Sequence, residues 1–437
     1  MPRPLYAYYG DDFTGSTDVL EVLASAGVRS VLFIGPPSDA QARLFPECQA
    51  LGIAGDSRSR TPRWMSEHLP ALFARLGAFG APLVHYKTCS TFDSSPQIGS
   101  IGRALEIGRD ALPGPFIPIA VAAPHLGRYV AFGNLFAAAG GVVHRIDRHP
   151  TMRAHPVTPL HEADLRRHLA AQTAMRIGLI ELPALARNAA AEALAGCLAA
   201  GDEAVLFDGV GEADLAQTGR LLWRSAQRHA LFCAGSSGVP YALLSAWRDA
   251  GLIPAGSETQ PRAEPVDRLL AMSGSCSPVT ERQIQAALRA GYHGIALDPA
   301  LLLSDATGAQ AGERVVREAV ARLRDGRSTV LYSALGPLRA GSPASGEALG
   351  RRMGELLARI LAAAPVPRVL LAGGDTSSHA VAQLGLHALT LKAALEPGAP
   401  LCRAHAGARS GLEGLELVLK GGQVGSEGFF ERVRLGR

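Results

Sequence analysis

Leu5-Tyr6-Ala7-Tyr8-Tyr9-Gly10-Asp11-Asp12-Phe13-Thr14-Gly15-Ser16-Thr17-Asp18 passes from an apolar run through two carboxylates and two glycines into a helical pattern. The run Leu5–Tyr9 predicts a buried strand. Val19, Leu20, Val22 and Leu23 carry helical spacing from Ser16 to Ala26, and Gly27 stops it. Val28–Ile34 then predicts a second strand. Strand, helix and strand in that order form a βαβ unit, the seed of a parallel sheet. The alternation continues outward through expected strands at Ala50–Ala54, Leu83–Lys87, Phe116–Ala122, Met175–Leu179, Ala204–Phe207 and Ala230–Ala234, with helices at Pro62–Leu76 and Gly99–Asp110. Polar clusters fall repeatedly at the carboxyl ends of these strands, where open α/β sheets place their ligands.

The chain has 437 residues, enough for two or three domains at about 100–200 residues each. The expected boundary lies between Asp249 and Asp267, in a stretch rich in Pro, Gly and polar residues (Leu252–Pro261). That divides the chain into 1–250, a linker 251–266, and 267–437. Beyond it the alternation restarts, with strands at Arg268–Met272, Gly294–Leu297, Ser328–Tyr332 and Val369–Leu371. Helices are expected at Val279–Ala290, Glu313–Leu323, Ala348–Ala362 and Ser377–Leu384. The fold class is therefore α/β, with two α/β domains and mainly parallel sheets.

Hydrophobic residues make up 47%, which argues against a disordered chain, and 49 glycines with only 5% aromatics suit α/β turns better than an all-β sandwich. The formal charge of +4 gives no basis for a nucleic-acid or anionic-membrane partner. Of the basic residues 40 are arginine and three are lysine: Lys87, Lys392 and Lys420. The six cysteines form no CxxC pair, so a structural zinc site is not expected and a reducing, cytoplasmic setting is. Neither a signal peptide nor an 18-residue apolar span is evident.

Five clusters carry candidate chemistry. Asp11 and Asp12, flanked by Gly10 and Gly15, need a cation, a donor-rich ligand or a helix N-terminus; the plainer alternative is a solvated pair beside a helix capped by Thr14 or Ser16. Lys87-Thr88-Cys89-Ser90-Thr91-Phe92-Asp93-Ser94-Ser95 sets a cation, hydroxyls and a carboxylate ahead of a glycine-started helix, which suits a carboxylate or phosphate; an ordinary capped turn is the alternative. Cys89 has no base supplied by the sequence and is expected to be a buried, inert thiol. Arg58, in Ser57-Arg58-Ser59-Arg60, would pair with a substrate carboxylate or else stand as surface charge. Met272-Ser273-Gly274-Ser275-Cys276-Ser277 and Leu371-Ala372-Gly373-Gly374-Asp375-Thr376-Ser377-Ser378 each follow a strand and open a helix, and Gly421-Gly422 adds a third glycine turn. Glycines, free N–H groups and hydroxyls at a helix start are a recipe for phosphate. No G-x-x-x-x-G-K-S/T loop occurs, and no convincing G-x-G-x-x-G follows the first strand. His125, His144, His149, His155 and His161 fit no metal spacing.

Taken in order, these segments, with His155-Pro156-Val157-Thr158-Pro159, resemble the four-carbon acid sugar kinase family over almost the whole chain. The resemblance implies an acid-sugar-binding domain at 1–250, a nucleotide-binding domain at 267–437 and an active site in the cleft between them. It implies transfer from ATP, with Mg²⁺, to a terminal hydroxyl of an acid such as threonate, erythronate, 3-oxo-tetronate or 3-oxo-isoapionate. Carried over, Asp12, Arg58, Lys87, Thr88, Cys89 and Ser90 become acid-sugar contacts. Ser273 or Ser275, Gly373, Gly374, Asp375, Thr376 and Gly421 become ATP contacts. In the mechanism this suggests, Asp12 or Asp11 orients the attacking hydroxyl and takes its proton, and Asp375 contacts magnesium or the ribose. The expected partners are the small-molecule acid sugar and ATP, with neither nucleic acid nor membrane, and homo-oligomerisation stays open. Ser94-Ser95-Pro96-Gln97-Ile98-Gly99-Ser100-Ile101-Gly102 departs from the common pattern and looks like the subgroup acting on branched acids such as 3-oxo-isoapionate. Two other classes remain open: a sugar-acid dehydrogenase, disfavoured by the missing dinucleotide fingerprint, and a non-catalytic acid-sugar sensor.

Overall fold

The computed structural model describes residues 3–155, 157–255, 262–336, 346–407 and 410–437, with the side chains of Asp375 and Thr376 outside that description. Of the expected linker, 256–261 lie outside the described residues, as does Pro156 of the His155–Pro159 motif. The chain forms two compact units. One comprises Met1–Asp11, Val22–Ser30 and Ala42–Glu258; the other comprises Asp12–Glu21, Val31–Gln41 and Thr259–Arg437. The first of the crossings between them thus falls between the two consecutive aspartates of the opening stretch.

Through the chain the strands are β1 (Tyr6–Gly10), β2 (Ser30–Phe33), β3 (Ala50–Ala54), β4 (Leu83–Lys87), β5 (Ile117–Ala120), β6 (Arg128–Ala131), β7 (Asn134–Ala139), β8 (Val142–Arg145), β9 (Ile177–Ile180), β10 (Ala204–Phe207) and β11 (Leu231–Gly235). They continue with β12 (Leu270–Ser273), β13 (His293–Ala296), β14 (Thr329–Tyr332), β15 (Arg368–Ala372), β16 (Leu386–Glu396), β17 (Ala399–Ala406) and β18 (Glu416–Lys420). In the first unit the order is β3-β1-β4-β11-β5-β10-β9, and every pairing is parallel.

Strands buried on both faces read as continuous apolar runs, and β1 is buried at all five positions. Ala7 and Tyr9 join a core with Met65, Leu69 and Phe73 of the helix Pro62–Ala78 and with Ala104 and Leu105 of the helix Ile101–Ala111. Tyr6, on the opposite side of the pleat, meets Trp247 of the helix Gly238–Asp249 edge-on at 5.9 Å. A separate antiparallel sheet, β6-β7-β8, stands where no strand is expected from the sequence.

In the second unit β13-β14-β12-β15-β18 are parallel, and β17 and β16 continue the sheet antiparallel. Phe33 and Leu32 of β2 pair with Ala388 and Leu389 of β16. The antiparallel β16 and β17 are a second departure from expectation: Leu386–Glu396 is rich in Leu, Ala, Lys and Glu, which favour helix locally, and tertiary pairing overrides them. The expected helix Ser377–Leu384 runs instead over Gly374–Ala382, starting directly on the glycine turn. No helix of the described residues is long and apolar enough to cross a membrane.

Glu21 lies buried in the second unit, accepting the Gly398 N–H at 2.8 Å. Burial, opposed by that hydrogen bond and aided by Asp18, lifts its pKa to about 8. The folded state therefore holds a proton that the unfolded chain releases near its ordinary carboxylate range. This contribution to stability is complete below about pH 4.5 and is lost as pH rises through about 8. Glu21→Gln keeps the acceptor and removes the ionisation. It should match the wild type within about 1 kcal/mol at pH 5 and exceed it by about 2–5 kcal/mol at pH 9. Calorimetric unfolding at the two pH values checks this, and parallel curves for both proteins would refute it.

Candidate active site

Asp11 ends the first unit's share of the opening stretch. Its N–H donates to the Lys87 carbonyl at 2.9 Å, fixing the end of β1 against that of β4. Arg58, in the short turn Ser57–Ser59 after β3, donates Nε (3.2 Å) and Nη2 (2.7 Å) to the two Asp11 oxygens. A buried carboxylate is thereby paired bidentately with a guanidinium. Asp11 is therefore buried and paired rather than solvated, and Arg58 is its partner.

Lys87 closes β4 fully inside the fold, its ammonium donating to the Thr88 carbonyl at 2.8 Å. Thr88 donates its N–H (2.7 Å) and its hydroxyl (3.1 Å) to the Gly235 carbonyl. Cys89 and Ser90 are half-buried, and burial raises the Cys89 thiol above its ordinary value, which fits an inert thiol better than a nucleophile. Phe92 holds a left-handed backbone (φ 56°) with its ring fully buried, a strained position at the tip of this loop. Beside it Asp93 accepts from Thr91 and, at 3.4 Å, from Thr158, whose N–H donates to His155 Nδ1 at 3.0 Å. Burial opposes the Asp93 charge, yet Arg58, the Thr91 hydroxyl and His155 hold its carboxyl below the usual range. Asp93, Thr158 and His155 were present in the motifs but absent from the expected contacts; their meeting across 65 residues has no local signature.

Asp12 belongs to the second unit and caps the helix Phe13–Ser25. Its Oδ1 accepts the Gly15 N–H at 2.7 Å and its Oδ2 the Thr14 hydroxyl at 2.9 Å. Asp12, rather than Thr14 or Ser16, is therefore the cap. A Cβ placed on Gly374 would stand 3.9 Å from Asp12 Oδ2, so the carboxylate flanks the second glycine turn.

That turn is one of three at the carboxyl ends of the adjacent strands β12, β15 and β18. Gly274 N–H donates to the Ala372 carbonyl (3.1 Å), and Gly373 N–H to the Lys420 carbonyl (2.9 Å). Ser273 Oγ and Ser275 Oγ accept from the N–H groups of Ser275 (3.3 Å) and Ser277 (3.2 Å), shaping the first turn. Gly373 has φ 110°, and a Cβ there would come within 3.2 Å of the Ser275 nitrogen. A Cβ on Gly422, next to Gly421, would meet Ser275 Oγ at 2.6 Å. The Gly373 turn thus meets the first turn backbone to backbone, and Gly422 lies against the Ser275 and Ser277 side chains. The first N–H groups of the helix Gly374–Ala382 have no intrahelical acceptor, which is the local chemistry that receives phosphate. Among the described residues no cluster of three or more metal-ligating side chains forms.

The sugar-binding N-terminal domain family matches residues 6–243, and the nucleotide-binding C-terminal domain family matches 270–430. The 3-oxo-isoapionate kinase of Paraburkholderia graminis is 46% identical, over 99% of this chain and 94% of its own length. The chain belongs to the four-carbon acid sugar kinase family. Another relative in this kinase family is the 3-oxo-tetronate kinase of Pseudomonas fluorescens, 32% identical over 99% of this chain and 97% of its own length. Among solved structures, a Salmonella typhimurium protein described as a tRNA synthase aligns with TM-score 0.79 at 27% identity, covering 98% of both chains. A Haemophilus influenzae protein described as a domain of unknown function aligns at 0.72 and 26%, again covering 98% of both. The protein is a sugar-acid kinase that uses a nucleotide donor. The dehydrogenase and sensor readings are not favoured, because the relatives matched over the full chain are kinases.

The glycine turns make a stability prediction. Gly373→Ala forces a side chain into a left-handed position against the Ser275 backbone and should cost about 1–3 kcal/mol. Gly374→Ala meets only ordinary contact and should cost less than about 1 kcal/mol. Denaturant unfolding of both variants compares them directly; equal losses would mean that the Gly373 turn is not constrained as described.

Proposed function

We propose that this kinase transfers the γ-phosphoryl group of ATP to a terminal hydroxyl of a four-carbon or branched 3-oxo acid sugar, with 3-oxo-isoapionate the first candidate and 3-oxo-tetronate the second. The order follows the identities, 46% to the former kinase and 32% to the latter. The observation that carries the mechanism is the position of Asp12, its carboxylate beside Gly374 at the start of a helix.

Phosphoryl transfer mainly needs positioning and charge stabilisation. Arg58 and Lys87, with Thr88, Cys89 and Ser90, form the acid-sugar contacts. Asp12 orients the attacking hydroxyl and takes its proton. Asp11, buried and held at both oxygens by Arg58, is the weaker candidate for that role. The backbone of Gly373, Gly374 and Gly421, with Ser273 or Ser275, receives the ATP phosphates. Thr376 extends this set from a position whose side chain lies outside the described residues. Magnesium suits this donor set, since it is commonly held by one or two carboxylates and by phosphate oxygens. Asp375, with its side chain outside the described residues, is the candidate carboxylate for it. When bound, the ion offsets charge on the transferred group.

Asparagine caps helices about as well as aspartate, so Asp12→Asn should fold normally. It should cut kcat on the preferred acid by about 10²–10⁴-fold while leaving ATP affinity within about twofold. Coupled measurement of ADP release with 3-oxo-isoapionate, 3-oxo-tetronate, threonate and erythronate reads both substrate and mechanism. Near-normal turnover by Asp12→Asn would remove Asp12 from the reaction. Equal inactivity of the wild type on all four acids would overturn the substrate assignment.

A further inference from the structure

Lys420 ends β18 and is fully buried. Its ammonium nitrogen donates to Thr280 Oγ1 at 2.9 Å. Thr280 directs its own hydroxyl proton to the Gly422 carbonyl at 2.8 Å, so it offers the lysine only lone pairs. Thr280 lies in the first turn of the helix Pro278–Arg289, whose positive end opposes a neighbouring cation. Among the described residues no carboxylate pairs with this amine. From β16, Glu396 contributes a favourable field, but that carboxylate is already engaged by the Ser426 N–H and hydroxyl and by Arg432. From the same helix, Gln283 turns its amide to the carbonyls of Val424, Gly425 and Ser426. Among the described residues of the Gly373 turn, the Gly373 N–H donates to the Lys420 carbonyl. A buried ammonium with one hydroxyl partner and, among the described residues, no counter-ion is an incomplete arrangement. Burial lowers its pKa to about 7. Lysine, unlike arginine, can shed its proton under such conditions.

The same residue joins two of the glycine turns assigned to the nucleotide phosphates, through its own carbonyl and through Gly421-Gly422. We propose that Lys420 is a positioning residue that becomes charged with the ligand: its amine is neutral in the empty site and takes a proton from solvent when nucleotide phosphates arrive above it. The anion then supplies the missing counter-charge, and binding above neutral pH consumes about one proton. This rests on the assignment of the glycine turns to phosphate made under Proposed function.

The test is calorimetric titration of the whole protein with a non-hydrolysable ATP analogue and Mg²⁺, without acid sugar, in buffers of differing ionisation enthalpy at about pH 8.5. The nucleotide phosphates are fully ionised there, so proton uptake reports the protein. The wild type should take up close to one proton. Lys420→Met should take up none and bind about tenfold or more weakly; Lys420→Arg, permanently charged, should bind without uptake, and it keeps the comparison intact if the methionine variant fails to fold. Wild-type binding without proton uptake, or uptake that persists in either variant, would overturn the proposal. Failure of the analogue to bind the wild type at all would instead overturn the nucleotide assignment on which it rests.

Discussion

Two consecutive carboxylates follow the first strand, and each needs a different means of being tolerated. Asp11, buried, is held at both oxygens by Arg58 from the turn after β3. Asp12 spends its oxygens on the Gly15 N–H and the Thr14 hydroxyl, capping the helix that follows. Neither arrangement substitutes for the other: an unpaired Asp11 would leave a buried charge, and an uncapped helix start would leave orphan donors. The chain also passes from one compact unit to the other between these residues. One peptide bond thus links the residue paired with Arg58 to the residue beside the second glycine turn.

The second constraint is backbone approach. Parallel strands β12, β15 and β18 end side by side, and their turns meet with only backbone and small serine side chains between them. Gly373 and Gly422 are glycine because a Cβ at either would strike Ser275. What results is a floor of N–H groups and hydroxyls with little bulk, the usual way for a protein to bring its main chain against phosphate. Two of the three lysines, Lys87 and Lys420, close β4 and β18 and are buried there, in a chain whose other 40 basic residues are arginine.

Much of this was legible in the sequence because it is local. Strands such as Ala50–Ala54, Leu83–Lys87 and Ala204–Phe207 stand where apolar runs predict them, and the polar clusters fall at their carboxyl ends. The three glycine turns were visible as sequence, and their convergence follows from parallel order. What escaped depends on distant partners. Arg58 shows no preference between substrate and surface until Asp11, 47 residues away, is placed against it. The β6-β7-β8 sheet is half-exposed and short, so it lacks a strong apolar alternation. The Leu386–Glu396 strand is built from residues that favour helix, and only pairing with β17 decides it. The Lys420–Thr280 bond likewise spans 140 residues.

The central claim is that the glycine turns of the second unit hold the nucleotide, independently of the acid-sugar cluster. Gly374→Val tests it most directly, because the added side chain would project from a position with only ordinary contact around it. Calorimetric titration should show ATP-analogue affinity reduced about a hundredfold or more, with the unfolding midpoint and acid-sugar binding close to wild type. Unchanged nucleotide affinity in a folded Gly374→Val protein would contradict the account and move the ATP site away from these turns.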